Sequence, residues 1–101
     1  MSSYEATLYI EGEKEAPIRV TVDLTDDQIV MLIGTDELAV WPRNGLRINA
    51  LPDGFHIRAE GEVVVVNVDH DAEFALELGL RNAHPALRRR MSALMRNDRA
   101  L

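Results

Sequence analysis

Between Ile18 and Leu24 apolar and polar side chains alternate one by one: Ile18, Val20, Val22 and Leu24 fall on one side, Arg19, Thr21 and Asp23 on the other. A period of two puts the first set on one face of a β-strand and leaves the second in water. The same alternation sets Leu46, Ile48 and Ala50 against Arg47 and Asn49, and Phe55, Ile57 and Ala59 against His56, Arg58 and Glu60. Pro52-Asp53-Gly54 separates those two runs, with a proline to preset one turn dihedral and a glycine to take a positive one, so the runs are expected to pair as a hairpin. Glu60-Gly61-Glu62 reverses the chain again into Val63 to Val68, a β-branched run with few polar breaks that predicts a strand covered on more than one side.

The first half is less regular and still readable. Ala6 to Ile10 forms a first strand, and Glu11 to Pro17 is a polar loop. Thr25-Asp26-Asp27 turns the chain into Gln28 to Ile33, and Gly34-Thr35-Asp36-Glu37 turns it into Leu38 to Trp41. Pro42 cannot donate to a ladder and so ends that strand or lies on an edge, while Asn44-Gly45 is a hairpin signal. Seven strands with frequent turns and no helical crossover predict an antiparallel sandwich or barrel. The run Ile29 to Ile33 is apolar on both faces, which asks either for a central position or for pairing with another chain; self-association into a homodimer is therefore expected.

After Val68 the period changes to that of a helix. Asp69 or Asp71 is expected to cap its start, Glu73 lies in its first turn, and Gly79 stops it. Phe74, Ala75 and Leu78 make a stripe suited to closing the open end of a barrel, and Leu76 and Leu80 make a second stripe that needs a cover. Pro85 suits the first position of another helix, on which Leu87, Met91, Leu94 and Met95 form an apolar face flanked by Arg88, Arg89, Arg90, Arg96 and Arg99. The expected architecture is mainly β: a seven-stranded antiparallel sandwich or barrel capped by a helix over residues 4–80, then a basic amphipathic helical tail over 81–101.

Composition narrows the function classes. The 101 residues suffice for one domain with a real core, and the absence of cysteine excludes disulfides and any thiolate-ligated metal. No apolar stretch approaches the roughly 20 residues of a membrane helix, and the start lacks the features of a signal peptide, so a cytoplasmic location is expected. Charge is split: residues 1–80 hold sixteen acids and five bases, a net of −11, whereas residues 81–101 carry +5. An acidic body repels phosphate, so nucleic acid is disfavoured as a partner and a polyanion could meet only the tail.

Candidate chemistry is sparse. Asp69-His70-Asp71 with Glu73 offers oxygen and imidazole ligands, but acids at a helix start are accounted for by the helix dipole, and no metal is expected there. The serines, Ser2, Ser3 and Ser92, lie near the ends; no nucleophile elbow, zinc-binding helix or phosphate loop occurs, and no cofactor or catalysis is expected. Trp41, beside Pro42 at a strand end, reads as a core piece or as a binding anchor.

Seven antiparallel strands closed by one helix, the run Glu37-Leu38-Ala39-Val40-Trp41-Pro42, the run Asp53-Gly54-Phe55-His56-Ile57-Arg58, and the closing helix around Phe74 together resemble the small bacterial pleckstrin-homology-like domains over residues 4–80. Eukaryotic members usually place a tryptophan in the closing helix; here Phe74 would take that place. The resemblance implies a non-catalytic protein-interaction or scaffold module. It does not imply phosphoinositide binding, because the first hairpin loop, Glu11-Gly12-Glu13-Lys14-Glu15, sets three acids against one base where phosphate would need cations. Partner contact is expected through Trp41 and through Leu87, Arg88, Arg89, Arg90, Met91, Leu94 and Met95 of the tail. The alternative is a peripheral adaptor whose basic tail helix contacts anionic lipid.

Overall fold

A computed structural model describes residues 2–80 and 83–99, with side chains through Arg96. Seven strands and two helices follow one another: β1 (Ser2–Ile10), β2 (Ile18–Leu24), β3 (Gln28–Ile33), β4 (Asp36–Pro42), β5 (Arg47–Leu51), β6 (Gly54–Ala59), β7 (Glu62–Val68), α1 (Asp71–Leu78) and α2 (Pro85–Arg99). All strand pairs are antiparallel, in one sheet of order β4-β3-β2-β1-β7-β6-β5, curled into a half-barrel. The central strand is β1, which pairs with β2 along Ser2 to Leu8 and with β7 along Ala6 to Ile10.

The alternation read from the sequence sorts the two faces. Val20, Val22 and Leu24 of β2, Ile29 and Met31 of β3, Phe55 and Ile57 of β6, and Val64 and Val66 of β7 point into one core. Phe74 of α1 is fully buried against it and meets Tyr4 and Phe55 edge-on, with ring centroids 5.1 and 5.0 Å apart. Such aromatic pairs add about 0.5–1.5 kcal/mol each beyond the area they bury. Val65 points the other way and is nevertheless fully buried, opposite Tyr9 on β1 and His56 on β6. The strand covered on both faces is thus β7.

Three local expectations are corrected. Asn44-Gly45 does not close a hairpin, since β4 and β5 lie at opposite ends of the sheet. Arg43 instead continues the β3–β4 pairing, its N–H donating to Asp27 O at 2.9 Å, and the turn carries the chain across to the far edge. Strand β3 is not central, lying one place from the β4 edge. Neither Asp69 nor Asp71 caps α1: His70 occupies the N-cap position with no side-chain cap bond, because both carboxylates are drawn to arginines.

Two turn positions differ in strain. The β6–β7 turn has positive φ at Glu60 (53°) and Gly61 (81°), the pattern of a type I′ turn, which places a glutamate where asparagine or glycine fits better. At Gly54 (φ 137°) a Cβ would meet Val66 O at 2.9 Å. In urea denaturation, Gly54→Ala should lower the unfolding free energy by about 2 kcal/mol, and Glu60→Asn should raise it by about 1 kcal/mol.

Candidate functional site

At the end of the half-barrel away from α1, the inner face is not fully covered. Leu8, Ile10, Ile18, Leu38, Trp41 and Val64 line a cleft of about 330 Å³ there. Its width follows from the strand ends: β1 and β2 diverge into the polar Glu11 to Pro17 loop, and β4 carries a bulge. The register steps from Met31↔Ala39 to Leu32↔Glu37, so Leu38 has no partner residue and stands 48% exposed at the mouth. Trp41 is only 7% exposed, joined to the core and forming part of the cleft wall.

The rim has one sign of charge. Glu13 and Glu15 come from the β1–β2 loop, Glu60 and Glu62 from the β6–β7 turn, and among the described residues no basic side chain lines the cleft. All four are exposed, and among the described residues none forms an ion pair. An apolar floor under unpaired carboxylates attracts a cation that carries apolar surface and repels phosphate.

At the opposite end the helices are fastened down. Tyr4 OH donates to Glu77 Oε1 at 2.7 Å, and the Arg43 guanidinium donates to Thr25 O at 2.6 Å and to Glu77 O at 3.0 Å. Burial, followed by the bond to Glu77, pushes the Tyr4 phenol up to about 12. For Glu77, burial acts upward, but hydrogen bonds from Ser2 and Tyr4 outweigh it and hold the carboxyl below its ordinary value.

Helix α2 folds back on α1. Leu87 (2% exposed) and Met91 belong to the core, and Leu94 packs against it from a half-buried position. The linker is tied to β5 by an Ala50–Ala83 bridge and by His84 N–H donating to Ala50 O at 3.2 Å. Arg90 Nη2 reaches Asp71 Oδ2 at 2.6 Å. Arg88, Arg89 and Met95 remain exposed, and the side chain of Arg99 lies outside the described residues. The residues singled out on the tail therefore divide: the apolar ones are largely inside, and Arg88 and Arg89 face out with Ser92 and Arg96.

Clusters rich in acid and imidazole are internally paired. Asp69 accepts two bonds from Arg19, at 3.2 and 2.8 Å, and this hydrogen bonding holds its carboxyl below the ordinary range. On the outer face His56 lies between Asp53 (2.7 Å) and Glu11 (3.2 Å), and Tyr9 OH donates to Asp53 at 3.3 Å. Sequence alternation placed His56 outward without showing these partners, which come from separate turns. Among the described residues no three His, Asp or Glu side chains gather as metal ligands, and no helix is long and apolar enough to cross a membrane. The chain matches no protein family, no curated protein and no solved structure.

Protonated Tyr4 stabilises the fold fully below the ordinary value of 10.0, and the contribution is lost as pH rises through about 12. Ultraviolet titration in a Tyr9→Phe background should place Tyr4 near 12, with Glu77→Gln bringing it down. In urea, Leu87→Ala should cost about 2–4 kcal/mol, whereas Arg90→Ala, breaking a half-exposed pair, should cost less than about 1 kcal/mol.

Proposed function

We propose that the chain is a non-catalytic protein-interaction module of pleckstrin-homology-like architecture that self-associates through the outer face of β3 and β4. The observation that carries this reading is an apolar patch open to solvent on that face. Val30 and Val40 are direct cross-strand partners, Val40 is 41% exposed, and Leu32 continues the patch along β3. On the neighbouring strands β1 and β2 the outer face is polar and internally bonded: Arg19 binds Thr7 and Asp69, and Thr21 donates to Glu5. An apolar area beside a free edge strand is the usual ground for association between chains.

The helix-capped, seven-stranded half-barrel is compatible with the pleckstrin-homology-like likeness, with Phe74 in the closing position. A non-catalytic role is supported by what surrounds the imidazoles. His56 faces two carboxylates, His70 lies 4.0 Å from Glu73, and His84 Nδ1 accepts the Leu87 N–H; among the described residues none of them is hydrogen-bonded to a serine.

A second reading, an adaptor held to anionic lipid by α2, draws on the outward row of Arg88, Arg89 and Arg96. Each arginine near such a surface gains about 1 kcal/mol. The reading is the weaker because Leu87 and Met91, the side chains that would enter lipid, would first have to leave the core. Multi-angle light scattering should give twice the chain mass for the wild type and a monomer for Val40→Asp. A monomeric wild type would remove self-association, and pelleting on phosphatidylserine vesicles that Arg88→Ala/Arg89→Ala abolishes would favour the adaptor.

A further inference from the structure

We propose that the cleft at the open end of the half-barrel takes a basic, apolar segment of a partner protein: one bulky side chain in the cleft, with lysines or arginines against the glutamate rim. This deepens the interaction-module reading and rests on it; the cleft lies on the inner face and the self-association patch on the outer face, with edge strand β4 bordering both.

Chemistry selects the occupant. Leu8, Ile10, Ile18, Leu38 and Trp41 supply an apolar lining, and a cleft of about 330 Å³ lies at the small end of ligand sites. It has room for an anchoring side chain and little more. Four carboxylates surround it, drawn from two separate segments of chain; Lys14, between two of them in sequence, is not part of the lining, and no other described base is either. A single ammonium could satisfy one or two of these; a polypeptide with cations on both sides of an apolar anchor reaches both pairs. The Leu38 bulge lies on β4, an end strand of the sheet, so unpaired backbone of β4 runs beside the cleft. An extended peptide can add main-chain hydrogen bonds to such an edge while alternate side chains fill pockets.

The rim also shows the carboxylate where the backbone resists it. Glu60 sits in the left-handed region, a place where glutamate costs about 1 kcal/mol and asparagine much less. The turn would be better made without Glu60, and its side chain projects at the mouth. All four glutamates are solvent-exposed, so their attraction for cations falls with salt, whereas the apolar anchor's contribution does not.

Trp41 is the sole tryptophan and lines the cleft, so its emission reports occupancy directly. The probe is a short synthetic peptide free of tryptophan, with a central phenylalanine flanked by paired lysines and arginines in a glycine-serine background. On titration into the full-length protein it should shift Trp41 emission and saturate. The Glu60→Gln/Glu62→Gln variant should weaken binding about tenfold, and replacing the peptide's phenylalanine by serine should do the same. Leu38→Ser, at an exposed position, gives a second route to loss that leaves the core intact. The proposal is overturned if Trp41 emission does not respond, if the serine peptide binds as well as the phenylalanine peptide, or if the glutamine variant binds as the wild type does. It is also overturned if Glu60→Gln/Glu62→Gln turns a dimer into a monomer, since the occupant would then be a second copy. A silent Trp41 alongside a dimeric wild type would remove this proposal alone and leave the self-association reading in place.

Discussion

Everything in this fold depends on how far four residues can reach. Strands β4 and β5 are consecutive in the chain and stand at opposite ends of a seven-stranded sheet, joined only by Arg43 to Leu46. Laid flat, seven strands would separate those edges by about 29 Å. A four-residue link spans at most about 18 Å even when extended. The sheet must therefore curl, and the curl turns a face of alternating apolar side chains into the lining of a half-barrel. Arg43 fixes the crossing point by holding Thr25 O on one side and Glu77 O on the other, so the residue that begins the link also fastens the helix that closes the barrel.

A curled sheet has two ends, and the chain treats them differently. At one end α1 brings Phe74 between Tyr4 and Phe55, and α2 lays Leu87 and Met91 over what α1 leaves open. The residual stripe on α1 would otherwise face water, and burying a Leu or Met side chain contributes about 1.5–3 kcal/mol, enough to hold a helix whose own propensity is not decisive. At the other end no helix among the described residues covers the mouth. The first loop is polar, the last turn is a tight reversal, and the bulge at Leu38 pushes an apolar side chain outward. The cleft is thus a consequence of having helices at one end only.

Most of the elements were legible because their signals are local. Period-two alternation in β2, β5 and β6 and the Glu60-Gly61 reversal each depend on neighbours along the chain. What was not legible depended on partners distant in sequence. Asn44-Gly45 carries a strong local hairpin signal, yet nothing local says that the next strand must pair with β6 and leave β4 alone. Asp69 and Asp71 look like caps until Arg19 and Arg90 arrive from β2 and α2. The cleft was hidden for the same reason: Leu8, Leu38, Trp41 and Val64 sit on three strands, and Glu13 and Glu60 on two turns, with no common motif. Trp41 stood out by its type, as a core piece or an anchor; Glu13 and Glu15 were read as a loop that rejects phosphate, and Glu60 and Glu62 only as the flanks of a turn.

Charge follows the same asymmetry. The outward arginines of α2 are carried at the helix-covered end beside the acids of α1, whereas unpaired glutamates line the open end. A contact between the α2 arginines of one copy and the acidic mouth of another would use different surfaces on each copy and could repeat without closing. Packing of the β3–β4 outer face on itself uses the same patch twice and closes at two copies. The closed pair proposed on Val30 and Val40 would leave the acidic mouth of each copy free, and the attraction of that mouth for cations would remain available to a different partner. The apolar patch and the acidic cleft are therefore compatible in one molecule because curl and helix placement put them on different faces, one outside the sheet and one inside its open end.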